Sequence, residues 1–136
     1  NLLTREPEER EFPYCLQHRI GVIPYSPLYR GLLTGKYARD QQFTDSRANY
    51  GLFAGRAFHC ILDALDELKT IATPLKLTVA QLAIRWVLTH PAVTSAIVGI
   101  KTPEHIESIV PAADAPIWHQ VADIMQKARE KAEAME

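Results

Sequence analysis

The chain has little of what marks several protein classes. Its two cysteines, Cys15 and Cys60, lie far apart, lack Cys-x-x-Cys spacing and fall in stretches that read as helical, so no extracellular disulfide framework is expected. No apolar run approaches the roughly 20 residues that span a bilayer, and the start has no charged-then-apolar signal pattern. A cytoplasmic chain with no membrane partner is expected. Excess charge of one sign is missing too: 15 Lys+Arg against 16 Asp+Glu leave a net charge of −1 with the signs interspersed. That excludes the basic stripe a nucleic-acid backbone needs, and also an acidic tail. Any anion site must be local, and the expected partner is a small molecule.

Catalytic signatures are equally sparse. The five histidines, His18, His59, His90, His105 and His119, show no metal-ligand spacing and read as helix-end or surface residues. Ser26 lacks the Gly-x-Ser-x-Gly elbow of a hydrolase nucleophile. Asp63 and Asp66 fall on the polar side of a helix, where solvation explains them, and Glu6, Glu8, Glu9 and Glu11 suit the start of a helix rather than acid/base chemistry.

What is present is an ordinary globular composition, 47% hydrophobic over 136 residues, enough for one domain or a piece of one. The first residue is Asn1, and Asn1-Leu2-Leu3 reads as the end of an element whose beginning is missing, so an incomplete chain is expected. Residues 7–18 form a helix with acids in front and His18-Arg19 behind, starting near Phe12 because Pro13 fits only a first turn. Phe12, Cys15 and Leu16 share its buried side. Residues 20–25 form a short buried parallel strand, whose end must hold Pro24 because proline donates no ladder bond.

Residues 26–55 have no sustained period but carry Gly31, Gly35, Gly51 and Gly55, and a loop of that length is functional or disordered. Its rigid Ser26-Pro27-Leu28 start favours function. Residues 56–72 repeat apolar side chains at helical spacing until Pro74 stops them. Thr78 and Gln81 match a capping box ahead of a helix with Val79, Leu82, Ala83, Trp86 and Val87 on one face, ending near His90-Pro91. Residues 95–99 form a second buried strand. Thr102-Pro103-Glu104 starts a helix that turns Ile106, Ile109 and Val110 inward. A last helix runs from about Pro116 to the end, with Trp118, Val121, Ile124, Met125 and Ala128 on one side. Short apolar strands alternating with helices define an α/β class, and so few strands cannot cover their own edges.

Two junctions carry chemistry. The segment from Tyr25 to Tyr37 follows a strand, is rich in glycine and ends on Lys36, so backbone N–H groups and one cation can meet a phosphate. It is not a P-loop: three residues separate Gly31 from Gly35 rather than four, and Tyr37 stands where Ser or Thr would hold magnesium. A structural loop with an exposed lysine is the competing explanation. At the second junction, Gly99-Ile100-Lys101-Thr102-Pro103-Glu104-His105, a helix N-terminus and Lys101 together suit a phosphate monoester, while a capped helix with a solvated lysine explains it equally well. Two such junctions after successive strands favour a phosphate-bearing ligand.

These residues resemble a known family. Ile20-Gly21-Val22, Tyr25-Ser26-Pro27-Leu28 and Gly31-Leu32-Leu33-Thr34-Gly35-Lys36-Tyr37 resemble the seventh strand and following loop of aldo-keto reductases, especially the branch with potassium-channel β-subunits. Gln81-Leu82-Ala83-Ile84-Arg85-Trp86-Val87-Leu88 and Ile97-Val98-Gly99-Ile100-Lys101-Thr102-Pro103-Glu104 resemble the late helix and eighth strand. The resemblance covers nearly the whole chain except the last helix. It implies a single partial domain, residues 1–136, from the end of the sixth strand through the C-terminal helix of a TIM (β/α)8 barrel. It also implies NADPH as cofactor and a small-molecule carbonyl as the parent enzyme's substrate.

By the same resemblance, Tyr25 would stack on the nicotinamide, and Ser26, Pro27, Leu28, Gly31 and Leu33 would line the cofactor, with Lys36 near the pyrophosphate. Ser46-Arg47 resembles a loop Ser-Arg pair in which Arg47 is a second phosphate contact. Gly99, Lys101, Thr102 and His105 would surround the adenosine end, with Lys101 favouring a 2′-phosphate. The family's catalytic Asp, Tyr, Lys and His have no match here; the resemblance puts them upstream of Asn1, so the chain alone is expected to be inactive. His105 departs from the usual Gln or Arg, Ile109 stands at a common Asn position, and Tyr29 and Arg30 replace smaller loop residues. A non-catalytic nucleotide-binding or regulatory protein of the same fold, and a different phosphate-binding barrel enzyme, are the alternatives.

Overall fold

In the computed structural model, described for residues 1–116 and 119–134, the helices are α1 (Glu11–Gln17), α2 (Gly55–Ala72), α3 (Val79–Leu88), α4 (Pro103–Ile109) and α5 (Gln120–Glu133). The core is built on α2. Its apolar spacing buries Phe58, Ile61, Leu62, Leu65 and Leu68 along one stripe, and that stripe packs mainly on α5, whose Val121, Met125 and Ala128 face it. Each such aliphatic side chain contributes about 1.5–3 kcal/mol on leaving water. Leu2, Leu3, Leu32 and Leu33, each at most 2% exposed, complete this core and root the chain's start and the glycine-rich loop in it. Expected positions Trp118 and the last two residues lie outside the described residues, and the final helix begins at Gln120 rather than near Pro116.

The capping box forms as expected. Thr78 Oγ1 accepts from the Gln81 N–H at 3.1 Å, and Gln81 Oε1 accepts from the Thr78 N–H at 2.8 Å. Gln81 is buried, and its Nε2 donates to the Ser108 carbonyl at 2.7 Å, so one side chain both starts α3 and holds α4. At the far end Arg129 on α5 donates to the Leu3 carbonyl at 2.6 Å and to Glu6 and Glu133 at 2.7 Å, joining the last helix to the opening turns. The Arg129 guanidinium holds the Glu6 carboxyl below its usual pKa.

The two expected strands are parallel, but they are bridges rather than a buried sheet. Val22 pairs with Val93 and Tyr25 with Ile97, through Val22 N–H to the Ala92 carbonyl, 3.0 Å, Thr94 N–H to the Val22 carbonyl, 2.8 Å, and Ile97 N–H to the Pro24 carbonyl, 2.9 Å. Pro24 therefore serves as an acceptor, the one ladder role open to it. A Cβ on Gly21 would meet Thr94 Oγ1 at 2.5 Å, so the close approach of the two segments requires glycine. Burial differs from expectation: Ile20, Ile23, Tyr25 and Ile97 are 49%, 57%, 78% and 53% exposed. Among the described residues no further strand pairs with either segment.

Two more inward faces are corrected. Among the described residues α1 buries no side chain: it starts at Glu11 with Pro13 in its first turn, Phe12 and Cys15 are half-buried and Leu16 is exposed. Ile106 on α4 and Val110 just after it are exposed and only Ile109 is half-buried, because this seven-residue helix packs chiefly on α3 and the turn Val110–Asp114 among the described residues. Pro103 opens α4, yet the Thr102 side chain makes no cap with its backbone.

Candidate functional site

The two bridged segments point the same way, so their C-terminal tips are neighbours. Tyr25 sits at the first tip with its ring open to solvent, opposite Ile97, and the second segment runs on from Ile97 to Gly99 and Lys101. Beyond Tyr25 the backbone enters the left-handed region at Ser26 (φ 52°), Tyr29 (44°), Arg30 (53°) and Gly31 (91°). Such φ values cost a non-glycine residue roughly 1–2 kcal/mol each and tend to collect at functional loops. The loop can hold them because Pro27, Leu32 and Leu33 are buried beneath it. Asn1 Nδ2 donates to the Ser26 carbonyl at 3.2 Å, tying the chain's first residue to this turn.

Of the side chains expected to line a ligand, Leu33 is fully buried in the hydrophobic core, so only its backbone can face one. Pro27 is likewise buried and Leu28 half-buried against the core. Gly31 is a close-approach position: a Cβ there would stand 3.0 Å from Tyr37 Oη and 3.8 Å from Lys36 Cε, on a backbone with positive φ. Lys36 is exposed, with Nζ 5.2 Å from the Tyr37 ring centroid. Arg47 lies 5.6 Å from the same centroid and 5.1 Å from that of Phe43, and donates to the Tyr37 hydroxyl. The two loop cations expected at a phosphate therefore share one aromatic ring.

Asp45 is the counter-charge. Its carboxylate accepts from the Arg47 backbone N–H at 3.0 Å and from Arg47 Nε at 2.9 and 3.1 Å. These bonds hold its pKa down to about 2, from 3.8, and the positive charge of Lys101 adds to the effect. At the second tip Gly99, Lys101, Thr102 and His105 are all exposed, and the Lys101 N–H donates to His105 Nδ1 at 3.4 Å. The Glu104 carboxyl is held below its usual pKa, chiefly by the Thr102 hydroxyl.

Sequence reasoning missed Asn1, Tyr37 and Asp45 as members of this rim. Tyr37 carried a signal, since an aromatic directly after Lys36 offers a face to a cation. Asp45 preceding Ser46-Arg47 matches an Asx turn, in which the side chain accepts from the backbone two residues on. A cavity of about 580 Å³ opens beside the rim, lined by Tyr25, Ser26, Arg30 and Tyr50 at one end and by Phe12, Cys15, Trp86 and His90 at the other. Among the described residues no three His, Cys, Asp or Glu side chains group as metal ligands, and no single helix is long and apolar enough to cross a membrane.

Residues 1–130 match the Aldo/keto reductase family, and the chain belongs to that family. The glycerol dehydrogenase of Gluconobacter oxydans superposes with a TM-score of 0.80 at 34% identity, over 99% of this chain and 40% of that one. The fold is accordingly part of an aldo-keto reductase barrel. Among curated relatives, a probable voltage-gated potassium channel subunit beta from Arabidopsis thaliana is 39% identical over 84% of this chain and 36% of its own length. The NADH-specific methylglyoxal reductase of Escherichia coli is 32% identical over all of this chain and 41% of its own length. The chain spans roughly two fifths of the length of these relatives.

Proposed function

We propose that this chain holds NADPH across the tips of its two bridged segments, as the C-terminal, cofactor-binding part of an enzyme that reduces aldehydes or ketones to alcohols. What supports this reading is the parallel Tyr25–Ile97 pairing, which brings the exposed Tyr25 ring and the segment leading to Lys101 to the same end of the two segments, together with the Lys36–Tyr37–Arg47 group on the loop after Tyr25. The rim suits a dinucleotide in its donor set, and Gly31 leaves open a space beside Lys36 and Tyr37 that a Cβ would fill.

Bound there, NADPH supplies the hydride that reduces a carbonyl. The chain's own residues bind and orient. Tyr25 would offer a flat face to the nicotinamide, and Ser26, Pro27, Leu28, Gly31 and the Leu33 backbone would line the cofactor. Lys36 and Arg47 meet the diphosphate. Gly99, Lys101, Thr102 and His105 receive the adenosine end, and Lys101 gives a 2′-phosphate a cation beside the start of α4. That cation supports NADPH over NADH, although the Escherichia coli relative is NADH-specific. In this reading the proton for the carbonyl oxygen is supplied by the parent enzyme's catalytic Tyr, Lys, Asp and His, which the family resemblance puts outside these 136 residues.

A second reading, nucleotide sensing without turnover, is favoured by the 39% identity to a probable channel β-subunit. One assay addresses both. The chain is titrated with NADPH and NADH by nucleotide fluorescence, then given NADPH with a generic aldehyde. Tighter binding of NADPH with no oxidation is expected, whereas clear turnover would overturn the assignment of catalysis to residues outside the chain. Equal affinity for both nucleotides would overturn the role given to Lys101.

A further inference from the structure

We infer that Tyr37 is a positioning residue: its ring and hydroxyl fix Arg47 and Lys36 as a pair, and so create the site for a diphosphate. The inference rests on the proposed nucleotide reading and deepens it. Three independent features meet at this one side chain. Its hydroxyl accepts from Arg47, its ring lies 5.6 Å from the Arg47 guanidinium and 5.2 Å from Lys36 Nζ, and its Oη stands 3.0 Å from where a Gly31 Cβ would be.

Tyr37 is itself immobilised. It packs edge-on against Phe43 at 5.0 Å and Phe53 at 6.4 Å, and Phe53 is buried in the core. The hydrophobic core thereby reaches the loop segment between the short helical turns Tyr29–Thr34 and Ser46–Asn49. A free arginine side chain loses close to its full rotamer freedom on gripping a phosphate; one already stacked and hydrogen-bonded has lost most of it before the ligand arrives. A diphosphate presents two anionic centres, so it can engage both cations that the ring holds. Asp45 keeps Arg47 neutralised meanwhile, and a phosphate must share or replace that carboxylate.

The test compares the full chain with Tyr37→Phe and Tyr37→Leu, using inorganic pyrophosphate and NADPH as separate probes. Phe keeps the ring packing and removes only the hydroxyl that Arg47 uses. Tyr37→Phe should weaken pyrophosphate and NADPH alike by about tenfold at an unchanged melting temperature, the loss expected for one charged hydrogen bond. In an Arg47→Ala background Tyr37→Phe should cost little more, and in the unaltered background Tyr37→Leu should weaken both further. A melting temperature that falls together with affinity assigns Tyr37 a structural role only and overturns the inference. Pyrophosphate binding that needs Tyr37, without NADPH binding, upholds the inference and overturns the nucleotide reading. NADPH binding indifferent to Tyr37→Phe does the reverse, and binding of neither probe overturns both.

Discussion

Tyr25 and Ile97 face each other across a parallel bridge, closed by the Ile97 N–H donating to the Pro24 carbonyl at 2.9 Å. A parallel pair brings equivalent ends of two segments together, so the loops that follow Tyr25 and Ile97 leave from the same side of the molecule. The proposed site depends on this one register, which sets Tyr25 opposite Ile97. Removing the Tyr25 ring should therefore affect ligand binding while leaving the fold alone, since it is 78% exposed. Tyr25→Leu is expected to weaken NADPH by up to about tenfold through lost stacking, with an unchanged urea midpoint.

Thr78→Ala removes the acceptor for the Gln81 N–H and should lower stability by about 1 kcal/mol. Gln81→Ala should lower it further, by about 1–3 kcal/mol, because the buried amide also bonds the Ser108 carbonyl, which is then left without that donor. Urea midpoints at constant m-value separate the two.

Lys76 occupies a left-handed conformation, φ 56°, after the turn Thr73–Leu75, and is exposed. Glycine carries no Cβ penalty there, so Lys76→Gly should raise stability by about 0.5–1 kcal/mol even though glycine loosens the unfolded chain. Thermal melts measure it.

Glu6 has its carboxyl pKa lowered in the folded chain, first by its hydrogen bond from Arg129. A lowered folded pKa means the unfolded chain binds the proton more readily, so the stabilisation is present above the ordinary value of 4.5 and is lost as pH falls below it. Glu6→Gln should therefore cost stability at neutral pH and progressively less on acidification. Equal costs at neutral and acid pH would contradict the pairing. Asp45 obeys the same sign at lower pH, holding its loop contact until about pH 2.

Much of this was legible in the sequence where the signal was local. The capping box of Thr78 and Gln81, the apolar stripe of α2 and Pro103 at the start of α4 each depend on residues a few positions apart, and each stands where it was expected. The errors concern which faces are covered. Ile23, Ile97, Ile106 and Val110 are apolar and were read as inward, yet covering is decided by what packs against a segment, which no short window of sequence contains. Leu33 shows the converse: it sits within a glycine-rich loop expected to line a ligand, but its side chain is a core residue. Tyr37 and Asp45 escaped notice because their importance lies in partners, Arg47 above all, that the chain brings back after an irregular stretch.

The central claim is that Lys36 on the first loop and Lys101 on the second tip serve one dinucleotide. Titrating NADPH into the chain, Lys36→Ala, Lys101→Ala and the double variant tests it most directly. The account predicts a one-to-one complex, weakened by each single change, with NADH indifferent to Lys101→Ala. A complex whose affinity ignores both lysines, or two independent sites each depending on one of them, would contradict it.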